Sequence, residues 1–331
     1  MKKVLATLLI LVFIISTLTS CVLFKTKEKK VRIGYMAGPT GMGMAKLISD
    51  NGGLENGNEK YSFKKYTDTT VAKADLAAGN IDIICLPTNE AVLYYKNIDS
   101  NSRILAINCL NSLYLVGSGL QSSPEYSLAD LEGQTIYTCK NGTPRIILEY
   151  ILKNAGINAT ISYTVDGKDV LTPADLSTLV IAGKIPNAVM PEPMVTTSIL
   201  KTISNSDANK IYSVKLDLGE EWNKISDTPI AMGCIVASGD FVKSSRRLID
   251  SFLDEYKLSI EYIGNSDNLD SAATYVVETG VIGAAPAARM ALKNLGNSIS
   301  YIDGANMKET LTAFYESIGI SLPDDDFYYE K

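Results

Sequence analysis

Apolar stretches of strand length alternate with helical runs along most of this chain, with glycine or proline at the junctions, and that rhythm narrows the folds open to it. The first series reads as a buried strand at 31–36, the turn Gly38-Pro39-Thr40-Gly41, a helix at 42–49, a strand at 61–66 and a helix at 71–78 ended by Gly79. An apolar strand at 81–86 and a helix at 90–96 complete it. A second series starts at Ser127, with strands at 135–139, 160–165, 187–190 and 211–216 and helices at 144–154, 174–182 and 194–202 between them. A further buried strand at 230–237 precedes four helices, at 244–262, 270–278, 286–295 and 307–317, and a polar tail at 323–331. Alternation of this kind predicts an α/β fold with a mostly parallel sheet and helices on both faces. Two such series are compatible with two separate domains or with one interleaved pair, and periodicity does not choose between them.

The first twenty residues have a different character. Lys2 and Lys3 precede an apolar run from Leu5 to Leu18, and small Ser20 stands before Cys21, the arrangement of a removable export signal. The run is short of the roughly 20 residues that a membrane-spanning helix needs, and Ser16, Thr17, Thr19 and Ser20 interrupt its end. Leu18-Thr19-Ser20-Cys21 resembles a bacterial lipobox, which implies that Cys21 becomes the first mature residue and carries acyl chains. The expectation is a signal peptide over 1–20 and a polar, lipidated tether over 21–30.

Loss of a leader with two lysines and no acid leaves 29 basic against 37 acidic residues, a net charge of −8. That balance argues against nucleic acid as a partner. Cys85, Cys109, Cys139 and Cys234 sit among apolar or β-branched neighbours and form no C-x-x-C pair, so they read as small buried hydrophobes. The chain contains no histidine, which removes the commonest metal ligand and excludes Ser-His and Cys-His triads. No metal, no cofactor and no enzyme activity are expected. Asp324-Asp325-Asp326 reads as a solvated terminal run rather than a calcium site.

Several stretches share their order with one family. They are Arg32-Ile33-Gly34-Tyr35, Gly79-Asn80-Ile81-Asp82 followed by Pro87-Thr88-Asn89, Ser127-Leu128-Ala129-Asp130-Leu131-Glu132-Gly133, and Leu171-Thr172-Pro173-Ala174-Asp175 followed by Gly183 and Met190-Pro191-Glu192-Pro193. Over roughly residues 31 to 260 the chain resembles the solute-binding lipoproteins of ABC importers, in the group of nitrate, sulfonate and thiamine-precursor binding proteins. The resemblance implies a periplasmic-binding-protein type II fold of two αβα lobes joined by a two-crossing hinge. Lobe one would comprise 31–115 plus 230–320 and lobe two 116–229, with strand-like crossings near 111–116 and 218–229 and a tail over 321–331. It further implies a monomer, lipid-anchored on the extracytoplasmic face of a bacterial membrane, that captures a small molecule and delivers it to an ABC permease. A sensory module of the same fold, signalling to a membrane partner, is the alternative. Relatives on this fold include a pyrimidine-precursor synthase that depends on histidine, and this chain has none.

In open α/β sheets ligands collect beyond the carboxyl ends of the strands, where helix N-termini carry free N–H groups. Three turns have that chemistry. Thr40 and Gly41 follow the first strand, and Thr88 and Asn89 follow the strand at 81–86; each hydroxyl or amide there serves equally as a helix cap. Gly142 and Thr143, in the turn Asn141-Gly142-Thr143, precede Pro144 at a first helical position and form the best anion site, an assignment the resemblance supports. Arg145 either reaches the same anion or lies on the helix surface. Glu192, between two prolines after an apolar strand, points toward the cleft and favours a cationic or hydrogen-donating ligand, so a ligand of mixed character, or a neutral heteroaromatic ring, fits better than a simple anion. Tyr35 and Tyr114 are candidates for flat apolar walls, among 18 tyrosines.

Overall fold

The computed structural model describes residues 29–119, 125–140, 142–203 and 207–331; the expected signal peptide, Cys21, most of the tether and Asn141 lie outside them. The strands in chain order are β1 (Val31–Met36), β2 (Tyr61–Tyr66), β3 (Ile83–Pro87), β4 (Arg103–Leu110), β5 (Leu113–Ser118), β6 (Thr135–Tyr137) and β7 (Thr160–Ser162). They continue as β8 (Thr164–Val165), β9 (Lys168–Asp169), β10 (Asn187–Pro191), β11 (Tyr212–Asp217), β12 (Ala231–Ala237) and β13 (Ile299–Ile302). One sheet has the order β13-β4-β12-β3-β1-β2 and the other β11-β5-β10-β6-β7, while β8 and β9 form a separate hairpin.

In the first sheet β1 is parallel to β2 and β3, and β12 is antiparallel to both β3 and β4. In the second, β6 is parallel to β7 and β10, and β5 is antiparallel to β10 and β11. The antiparallel strands β5 and β12 are those by which the chain enters one sheet from the other. A strand arriving at the carboxyl edge of a parallel set must run against it, and β13 is also antiparallel to β4. Among the described residues four pairings of the two sheets are parallel and five antiparallel, so the sheets are mixed, not mostly parallel as expected.

Strand alternation places a helical layer on each face of each sheet. Along β3, Ile84 and Leu86 join a cluster with Leu76, Val92, Leu311 and Phe314, whereas Ile83 and Cys85 join the opposite cluster with Phe252, Tyr256, Ala288 and Leu292. Along β10, Val189 faces the cluster containing Leu148 and Trp222, and Ala188 and Met190 face Leu176 and Val195. The cluster around Leu86 and Trp222 runs through both lobes without a break. Trp222 anchors it, with Tyr150 at 4.7 Å and Phe314 at 5.9 Å between ring centroids. Cys85, Cys109, Cys139 and Cys234 are all buried and unpaired.

The chain passes between the sheets twice, and the two passages are bonded to each other. Asn111 has φ +46°, a left-handed conformation that Asn tolerates better than most residues. Its N–H donates to the Ile230 carbonyl at 3.0 Å, and its side-chain oxygen accepts from the Ile230 N–H at 2.9 Å. Asp82, expected as part of a strand motif, is a staple between β1 and β3: its carboxylate accepts from the Arg32 backbone N–H at 2.9 Å and from the guanidinium at 3.0 and 2.7 Å.

The structure corrects four further expectations. The first crossing is only Asn111 and Ser112, because β5 already pairs in the second sheet from Leu113, a residue assigned above to lobe one. The second crossing carries a helix, Leu218–Asn223, which positions Trp222. The strand expected at 160–165 is split into β7 and a hairpin arm because Thr164 and Val165 turn back to pair with β9. The terminal segment is no free tail. Phe327, Tyr328 and Tyr329 are buried in lobe one, and the Tyr329 N–H donates to the Ile104 carbonyl at 2.9 Å.

Two stability measurements check this account. Asn111→Ala is expected to lose about 2 kcal/mol, from the left-handed backbone and the lost bond to Ile230, while Asn111→Gly loses less because its backbone is unstrained. Urea unfolding that ranks glycine below alanine contradicts it. Asp82→Ala is expected to cost about 1–3 kcal/mol by orphaning the Arg32 donors, with a lowered denaturation midpoint as the readout.

Candidate ligand-binding cleft

The turn after β3 meets the turn after β6 where the lobes approach, and Glu192 after β10 meets Asn294 of lobe one. Pro87, the last residue of β3, fixes an extended entry to the helix Thr88–Asn97; beyond β6, Gly142 with φ +108° opens the helix Thr143–Ala155, with Pro144 in its first turn. A side chain at Gly142 would strain that backbone, so the glycine there has a local cause. The two helix N-termini meet directly. The Thr143 hydroxyl donates to the Asn89 side-chain oxygen at 2.8 Å, and both residues are buried. Each helix presents the positive end of its dipole and its unpaired first-turn N–H groups toward this point.

Thr88, Asn89, Gly142 and Thr143 are therefore brought together. The Thr88 hydroxyl itself donates to the Ala231 carbonyl and its own carbonyl accepts from Tyr315 at 2.9 Å, so Thr88 fastens the turn in place. Thr40 and Gly41 form part of a short helix, Pro39–Met42, next to β12. A Cβ on Gly41 would lie 2.2 Å from the Met36 carbonyl oxygen, and one on Gly233 would lie 2.1 Å from the Thr40 methyl. These contacts press the first turn against the Gly233 backbone, whose strand partner is Pro87.

Other candidates are spent elsewhere. Tyr35 is fully buried in lobe one, where its hydroxyl donates to the Thr279 carbonyl at 2.8 Å and burial pushes its pKa upward. Arg145 bonds Glu149 on its own helix at 2.8 Å and the Lys140 carbonyl at 3.1 Å, with its guanidinium over the Tyr163 ring at 5.5 Å. Glu192 reaches the gap, but its carboxylate accepts from the Thr196 N–H at 3.1 Å, the Thr196 hydroxyl at 2.8 Å and the Asn294 amide at 2.8 Å. Burial raises its pKa, and these donors oppose that rise.

Two residues not singled out in the sequence lie near these strand ends with an unpartnered polar atom. Asn108, near the end of β4, donates its amide to the Thr40 carbonyl at 3.2 Å and to the Tyr256 hydroxyl at 2.9 Å, leaving a buried side-chain oxygen with no partner. The amide orientation is set by Thr40, whose carbonyl can only accept. Thr138, directly after β6, has a buried hydroxyl without a partner. Buried polar atoms of this kind are uncommon and call for a ligand, a water or a functional reason.

No protein-family model matches the chain, and no curated protein matches its sequence. Solved structures match its fold. An ABC transporter protein from Parabacteroides distasonis superimposes with a TM-score of 0.69 at 20% identity, over 92% of this chain and 100% of that one. The periplasmic aliphatic sulphonate binding protein of Escherichia coli gives 0.65 at 17% identity, over 91% and 92%. The periplasmic nitrate-binding protein of Synechocystis PCC 6803 gives 0.60 at 12% identity, over 84% and 74%. The chain thus has the two-lobed α/β fold of these periplasmic binding proteins.

Proposed function

We propose that this protein is an extracytoplasmic solute-binding lipoprotein that closes its lobes over a small molecule and passes it to an ABC-type membrane importer. The observation that carries the reading is the meeting of two helix N-termini from different lobes at Asn89 and Thr143. A ligand with an anionic or strongly accepting group at that point contacts both lobes at once, which gives closure a differential free energy. The unpartnered oxygen of Asn108 supports a hydrogen-donating group elsewhere on the same ligand. An acceptor end and a donor end together suit a zwitterion or a polar heterocycle better than a bare inorganic anion.

No bond-making step belongs to this reading. A chain without histidine lacks the usual proton shuttle, and the cleft residues are hydrogen-bonding groups rather than an activated nucleophile. Export and the lipid anchor at Cys21 are supported by the leader, a monomer by the resemblance, and the importer by the likeness to binding proteins of such systems.

A thermal-shift panel of alkanesulfonates, nitrate, amino acids and heterocyclic metabolites tests the assignment, because a ligand that binds only the folded state must raise its apparent stability. At least one member is expected to stabilise the protein, with Thr143→Ala weakening its binding roughly tenfold or more in titration calorimetry. Unchanged affinity in that variant removes the Asn89–Thr143 point from the site.

A further inference from the structure

Asn294 occupies the last turn of the lobe-one helix Ala285–Leu295, where backbone carbonyls have no partner within the helix. Its carbonyl accepts from the Tyr114 hydroxyl of β5 at 2.9 Å. Its side-chain amide donates to the Glu192 carboxylate at 2.8 Å and to the Thr196 hydroxyl at 3.2 Å. Tyr114, Glu192 and Thr196 all belong to lobe two, so one residue of lobe one is gripped by three groups of the other. Glu192 also lies beside the hinge, its N–H donating to the Ser112 carbonyl at 3.3 Å.

We propose that Asn294 is the bolt of an interlobe latch, separate from the ligand contacts at Asn89 and Thr143, that sets how readily the two lobes close. Closure of this side is a balance between lost hydration and gained donors. In an open form the Glu192 carboxylate recovers water, whereas in the closed form it is fully buried and keeps only protein donors. Thr196 supplies two of those donors from the same lobe, so they persist through opening and closing. Asn294 supplies the one that exists only when the lobes meet, and it therefore decides whether closing this side is favourable. A hydrogen bond to a buried charge shifts such an equilibrium on the order of tenfold to a hundredfold. The Tyr114 bond adds a smaller share, because both of its partners are neutral.

Trp222 is the only tryptophan and reads out the equilibrium without added labels, lying between Tyr150 of lobe two and Phe314 of lobe one. Opening separates the two rings and alters the shielding of the indole. The full chain, purified in detergent with 5-fluorotryptophan and no added ligand, is examined by fluorine NMR. Wild type is expected to show one dominant resonance. Asn294→Ala and Asn294→Asp are expected to move the population toward a second resonance roughly tenfold or more, the aspartate further because it sets two carboxylates together, and Tyr114→Phe less. Variants with native circular dichroism and a wild-type fluorine spectrum overturn the proposal. If the Asn294 variants do not fold, Tyr114→Phe, which deletes one hydroxyl, decides by the same criterion. Failure here leaves the cleft assignment standing, because no ligand enters the measurement.

Discussion

The bond pair between Asn111 and Ile230 is the constraint from which the rest follows. It ties the two passages of the chain at one edge of both sheets. With the crossings fixed there, β5 and β12 enter their sheets from the edge at which β1, β3, β6 and β10 end, and the turns after those four strands have nowhere to point but at one another. The apolar cluster around Trp222 fills the floor beneath them and joins both lobes. The gap between the lobes is therefore lined by helix N-termini and short polar turns, the parts of an α/β unit best able to hold a small polar solute.

Two kinds of polar contact divide that gap. At one end, two helix N-termini meet through a single bond from the Thr143 hydroxyl to the Asn89 side-chain oxygen, and a stronger acceptor on a ligand can take that oxygen's place. At the other, a carboxylate is fully satisfied by Thr196 and Asn294. A ligand gains little by approaching a saturated Glu192. In the proposed reading selectivity belongs to the helix termini and to Asn108, and the ease of closure to the latch.

Much of the fold was legible because its elements obey local rules. The glycines and prolines at the turns, the apolar runs of β3 and β12 and the long helices near the carboxyl terminus are set by backbone chemistry within a few residues. The stretches that carried the family resemblance prove largely structural: Ser127 with Asp130 and Thr172 with Asp175 form capping boxes, and Asp82 staples two strands. What was not legible depends on distant partners. Asn294 lies 102 residues from Glu192 in sequence, and β13 and the buried Tyr328 and Tyr329 pack only because β4 is already in place. Two signals were present and undervalued. Val31, Ile33 and Tyr35 alternate along β1 and share one buried cluster, and Arg145 has Glu149 four residues on.

The central claim is that one solute is gripped at the same time by the helix beginning at Thr88 and the helix beginning at Thr143. Hydrogen–deuterium exchange of the protein, with and without a compound that stabilises it, tests this directly. The account predicts slowed exchange at the first-turn amides of both helices together, around Asn89 and around Arg145. Protection confined to one lobe, or found only away from both turns, contradicts it.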